Sequence, residues 1–113
     1  MDIWMILKIF AALATAATGL LAFFKPGAAY GFIGLNADGP RGVSEIRSIF
    51  GGLFIGLGIA PLFLGDAAYL MLGIGYLAIA VTRAFSIVYD KSYAQSNLIS
   101  LGIEIVLGIF LVI

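Results

Sequence analysis

The chain has no cysteine and no histidine. Without thiols there are no disulfides, no iron–sulfur clusters and no thiolate metal sites. Without imidazole it lacks the commonest ligand of haem, zinc and copper, and the usual near-neutral proton shuttle. No metal site and no cofactor are therefore expected. Charge is scarce as well. Only 11% of residues are Asp, Glu, Lys or Arg, against roughly 25% in soluble domains. Six basic residues balance six acidic ones, so no net charge draws in nucleic acid. No Lys/Arg run is present to hold phosphate or anionic lipid heads.

The chain is instead mostly apolar, with 63% of its 113 residues hydrophobic. The apolar residues fall into four runs. The first, 3–24, is broken only by Lys8, Thr15 and Thr18 and stops at Lys25-Pro26. A helix over it would be about 33 Å long, enough to cross a hydrocarbon core. Its length, and Asp2 before it, favour a retained span over a signal peptide. The second run, 43–64, carries Glu45 and Arg47 in its first turns and Pro61 near its end. The third, 67–89, holds Arg83, and the short Gly65-Asp66 turn makes these two helices antiparallel neighbours. The fourth run, counted from Leu98, is short for a span. A cap at Ser92 lengthens it to 93–113; a re-entrant hairpin is the alternative. Residues 26–42 read as an interfacial linker or a lid, with Tyr30 and Phe32 at headgroup level and a turn at Asn36-Ala37-Asp38-Gly39-Pro40.

These runs predict one integral membrane domain over 1–113: an all-α, four-helix transmembrane bundle with up-down topology. Lys25, Arg41 and Lys91 lie on one side, while Lys8 snorkels toward the other, where Asp66 also lies. Positive charge concentrates on the cytoplasmic side. The loops at 25–42 and 90–97 are thus expected inside and both termini outside. Trp4, Tyr89 and Tyr93 read as interface anchors.

Lipid supplies no hydrophobic push between helices, so small residues must let backbones approach. Ser48, Gly52, Gly56 and Ala60 recur every four residues on the second helix and are expected to form its packing stripe. Gly51 and Gly58 lighten a neighbouring face. Ala11, Thr15, Thr18 and Ala22 do the same on the first helix, and Gly73, Gly75, Ala78 and Ala80 on the third. A homodimer face on Gly52 and Gly56 is the alternative use of the stripe.

Charges stranded in apolar runs usually pair and often mark a working site. Glu45, Arg47, Arg83 and Glu104 come from three helices yet all lie toward the same side. Residues three, four and seven apart share a helix face. Arg83, Ser86 and Asp90 line up on the third helix, and Asn97, Ser100, Glu104 and Gly108 on the fourth. Either Glu104–Arg83 and Glu45–Arg47 are clamps that fix helix register, or the cluster lines a cavity for a polar or amphipathic ligand. A proton-coupled glutamate is a third reading, set against the ionised form that an arginine partner favours. No catalytic residue is implied: paired carboxylates are poor general bases.

The segment Glu45-Ile46-Arg47-Ser48-Ile49-Phe50-Gly51-Gly52-Leu53, followed by Leu57-Gly58, resembles the E-x-R-x-x-x-G-G-L…L-G signature of a bacterial membrane family known as domain of unknown function 4345. The later Arg83 with Asp90, and Glu104, match that family's pattern too. Lys91 departs from it, where the family commonly has Gly. More remotely the chain is similar to DoxX-type four-helix proteins. The resemblance implies a four-helix protein of a bacterial inner membrane and brings no activity. The expected function is a non-enzymatic membrane protein in which Glu45, Arg47, Arg83, Asp90 and Glu104 bind or pass a small amphipathic or lipid-like molecule. A structural or accessory subunit of a larger membrane complex is the alternative.

Overall fold

The computed structural model describes residues 2–113 and contains five helices and no strand among them. Helix α1 (Ile3–Phe24) opens on Asp2, whose side chain accepts the Met5 amide at 2.8 Å. It ends before Pro26, which cannot donate to a continuing helix. Pro26 instead starts a short helix, α2 (Pro26–Ile33), where a missing N–H costs nothing. The region expected to be a linker is thus partly helical. Gly34 stops α2 with φ +80°, the left-handed geometry that glycine adopts freely.

Helix α3 runs from Pro40 to Leu64 without a break and begins three residues earlier than the apolar run suggests. Pro40 stands in its first turn, again at the position that tolerates it. Residues Ile46–Leu53 within it are π-helical. Gly65, also at φ +80°, is the whole connection to α4 (Asp66–Tyr89). Helix α5 spans Gln95–Val112, starting between the two expected points, three residues before Leu98 and two after Tyr93, with Ala94 and not Ser92 at its cap. Lys91, at φ 56°, takes the left-handed position between α4 and α5. That position suits glycine, which pays no steric penalty there.

Among the described residues, four helices are long and apolar enough to cross a membrane. Their outer faces carry Phe10, Phe63, Met71, Val81 and Phe85 in exposed positions. So much exposed apolar surface fits lipid and not water. The protein is an integral membrane protein.

The helices pack as two antiparallel pairs, α1 with α3 and α4 with α5. The short turn does join α3 to α4 as neighbours, but their mutual packing is slighter than within either pair. In the first pair the backbones nearly touch. A Cβ on Gly19 would lie 2.7 Å from the Gly51 oxygen, and one on Gly58 would lie 2.5 Å from the Ala16 nitrogen. The packing face of α3 is therefore Gly51 and Gly58. The expected stripe is corrected: Ser48, Gly52 and Gly56 are exposed, and Ala60 is half-buried. The physical reason lies opposite, where Ala12, Ala16 and Gly19 of α1 present bare backbone to the other face. On α1 itself Ala11, Thr15 and Ala22 are buried as expected, with Thr18 half-buried. On α4, Gly73 and Ala80 are buried while Gly75 and Ala78 face outward.

Two apolar clusters form the core, and only the first joins the two pairs. Ala11, Ala12, Tyr69, Leu72, Leu107 and Leu111 form that first cluster. Ala22, Ala29 and Ile46, covered by Tyr30, Ile33 and Phe50, form the other, which needs α2. Between them the middle of the bundle is not filled.

Candidate functional site

That middle contains a half-open cavity of about 600 Å³, whose lining residues Phe32, Ile99 and Ile103 are exposed at its mouth. Ala14, Thr18 and Leu21 line it from α1, and Phe32 and Ile33 from α2. Phe50 and Phe54 line it from α3, and Ile99, Ile103 and Leu107 from α5. The polar wall is Tyr76 and Arg83 from α4 with Ser96, Ser100 and Glu104 from α5. Its volume lies within the range of pockets that enclose small organic ligands, about 300–1,000 Å³.

The chemistry centres on Arg83. Its Nε donates to Glu104 Oε1 at 2.8 Å and its Nη2 to Glu104 Oε2 at 2.7 Å. The two planar groups thus meet fork to fork, the geometry that makes Arg–carboxylate pairs strong and directional. Nη1 donates to Asn97 Oδ1 at 2.7 Å. Asn97 is itself held, since its Nδ2 donates to the Ser92 carbonyl at 3.2 Å and to Ser92 Oγ at 3.0 Å. Helix spacing explains the assembly. Asn97 and Glu104 are seven residues apart and share a face of α5; Tyr76 and Arg83, also seven apart, share one of α4. Among the described residues this is the only ion pair that joins two helices. The side chain of Glu104 is 10% exposed and that of Arg83 30%.

Tyr76 is oriented by α1. Thr15 Oγ1 gives its only hydrogen to the Ala11 carbonyl at 2.8 Å. In the Thr15–Tyr76 hydrogen bond the tyrosine must therefore be the donor. Thr18 likewise donates to the Ala14 carbonyl at 2.9 Å. Among the described residues no buried side-chain polar atom lacks a partner.

The other charges expected in this cluster lie elsewhere. Glu45 pairs with Arg41 one turn earlier on the surface of α3. Arg47 Nη1 donates to the Phe23 carbonyl at 2.6 Å. That carbonyl belongs to the last turn of α1, where helical partners run out, so Arg47 caps α1. A Glu45–Arg47 clamp is excluded by helix geometry: residues two apart point to different faces. Asp90 accepts from Ser86 Oγ at 2.6 Å in an exposed position at the end of α4. None of Glu45, Arg47 or Asp90 lines the central cavity. Of the five charges expected at the site, the structure brings together Arg83 and Glu104 alone.

Several wall residues were not singled out from the sequence. Tyr76 carried a usable signal, its seven-residue spacing to Arg83. Phe50 and Phe54 carried none, because they reach the cavity only through the packing of the π-helical stretch of α3, whereas Phe32 belongs to the segment read as a linker or lid. Such π-helical stretches often occur at functional sites.

The family model described as a domain of unknown function (DUF4345) matches residues 3–113. No curated protein and no solved structure matches the chain.

Proposed function

The chain belongs to the DUF4345 family, and we propose that it is a membrane-embedded binding protein whose central cavity holds or passes a small amphipathic or lipid-like molecule without chemical change. One observation carries this reading: an apolar cavity of ligand size has a single, fully oriented charge pair in its wall. Arg83 lies about 9 Å from the end of α4, and Glu104 about 13 Å from the start of α5, at the helical rise. In a bilayer both stand within the apolar zone. A buried ion pair contributes little net stability compared with apolar packing. Its place in a cavity wall favours a binding role over a clamp. The loops at 25–42 and 90–97 then face the cytoplasm of a bacterial inner membrane, with both termini outside, following the distribution of Lys25, Arg41 and Lys91.

Blocking the cavity tests the proposal. Ser100 lies in the polar wall and carries no charge, so Ser100→Phe fills space without breaking the pair. Native mass spectrometry from mild detergent should show an amphiphile retained by the wild type and absent from Ser100→Phe, with equal helix content. Wild-type protein that retains no more amphiphile than the blocked variant sinks the proposal.

A second reading, an accessory subunit or homo-oligomer, is favoured by the outward face of α3. A Cβ on Gly56 would meet no atom within 4 Å, so a neighbouring helix has room to dock there.

A further inference from the structure

Resting on the cavity reading above, we infer that the head of the ligand is a neutral hydrogen-bond acceptor, an ester or ketone carbonyl, and not a carboxylate, a phosphate or an amine. The unused donors of Arg83 define this class. A guanidinium has five N–H groups. Three of those on Arg83 are used, two by Glu104 and one by Asn97. Two remain, one on each terminal nitrogen, on a side chain that lines the cavity and is 30% exposed. Glu104 is only 10% exposed, so the arginine and not the glutamate is the partner within reach. Tyr76 spends its proton on Thr15. The hydrogens left to meet a ligand come from Arg83, with the hydroxyls of Ser96 and Ser100 nearby. Such a wall recognises an acceptor.

Charge balance then selects a neutral acceptor. Among the described residues, Arg83 and Glu104 are the only Lys, Arg, Asp or Glu residues lining the cavity, and they cancel. A ligand carboxylate or phosphate on Arg83 would share one guanidinium with the Glu104 carboxylate. Two like charges that close repel strongly where the dielectric is low. No further cation in the wall offsets them. An ammonium head would face the exposed donors of Arg83 and its positive charge. A carbonyl oxygen accepts one or both free N–H groups and adds no charge. The rest of its body lies against Phe32, Phe50, Phe54, Ile99 and Ile103.

Three probes with one common chain separate the classes: monoolein with an ester head, oleate with a carboxylate, and oleylamine with an ammonium. Each is titrated into detergent-solubilised protein, and occupancy is read by native mass spectrometry, with Ser100→Phe as the blocked control. Monoolein should bind most tightly of the three. Arg83→Gln should weaken it about tenfold or more, the loss expected for a hydrogen bond to a charged group. Glu104→Gln leaves the arginine charge unbalanced, and the preference should pass to oleate. Should that variant fail to fold, the wild-type ranking decides alone. Oleate or oleylamine binding the wild type better than monoolein overturns the neutral head and leaves the cavity as a binding site. Occupancy by all three that Ser100→Phe does not lower overturns both.

Discussion

Glu104 is the buried charge of the bundle among the described residues. Both its oxygens accept from Arg83, and the pair spans α4 and α5. Removing one partner of a buried pair leaves a charge uncompensated in a poor solvent for it. Glu104→Ala should therefore cost about 3 kcal/mol or more of stability, read as a lower melting point in detergent. Replacing both partners removes the charge with its desolvation cost. The double variant Arg83→Leu with Glu104→Leu should recover most of that loss while abolishing ligand retention. A melting point for Glu104→Ala equal to wild type would show that the pair is not coupled. Arg47 illustrates the opposite case. It looks like a site residue in sequence, yet its partner is a backbone carbonyl at the end of α1. No spacing rule within α3 could reveal that, because the orphan carbonyl belongs to another helix.

At the scale of elements, the α1–α3 contact is made of backbone on backbone. Gly58 has no room for a Cβ, because its neighbours are main-chain atoms of Ala12 and Ala16, which cannot rotate away. Gly58→Ala should push the helices apart and destabilise the protein by about 1–3 kcal/mol, as overpacking does elsewhere. Gly56→Ala is the control. It enters open space and should be neutral or mildly stabilising, by up to about 1 kcal/mol, through helix propensity. Thermal melts of the two variants should move in opposite directions, or one not at all. If α3 docks a second copy through its outer face, Gly56→Leu should change the oligomeric mass without lowering the monomer's helix content. Glycines at four-residue spacing promised that face as the internal one. The choice between Gly52/Gly56 and Gly51/Gly58 was never local: α3 could turn either side inward, and the bare backbone of Gly19, Ala16 and Ala12 settled which.

At the scale of the whole molecule, the two pairs leave the centre hollow because their apolar clusters sit apart along the bundle, one including α1, α4 and α5, the other α1, α2 and α3. The orientation of that hollow in the membrane is open to direct test. Lys91→Cys should react with a membrane-impermeant maleimide only from the cytoplasmic side, and Asp66→Cys only from the opposite side. Reaction of Asp66→Cys from the cytoplasmic side reverses the proposed topology. The spans themselves were legible, since four long apolar runs admit few other structures: in lipid a backbone must satisfy its own polar groups, and the helix does so within one segment. The helix α2 was less so. Its eight residues have an aromatic, glycine-containing sequence with little periodic pattern, and they become helical where Pro26 and Gly34 frame them against Ala22 and Ile46.

Composition and periodicity alone determined that this chain is a helical membrane protein with four spans, because burying polar backbone in lipid leaves little choice. They also marked Arg83 and Glu104, since a charge in an apolar run is costly wherever the run folds. Only the tertiary structure decided that these two meet, that Glu45, Arg47 and Asp90 do not join them, and that a cavity opens beside the pair. Those outcomes depend on the rotation of each helix about its axis, and that rotation is set by contacts with partners distant in the chain.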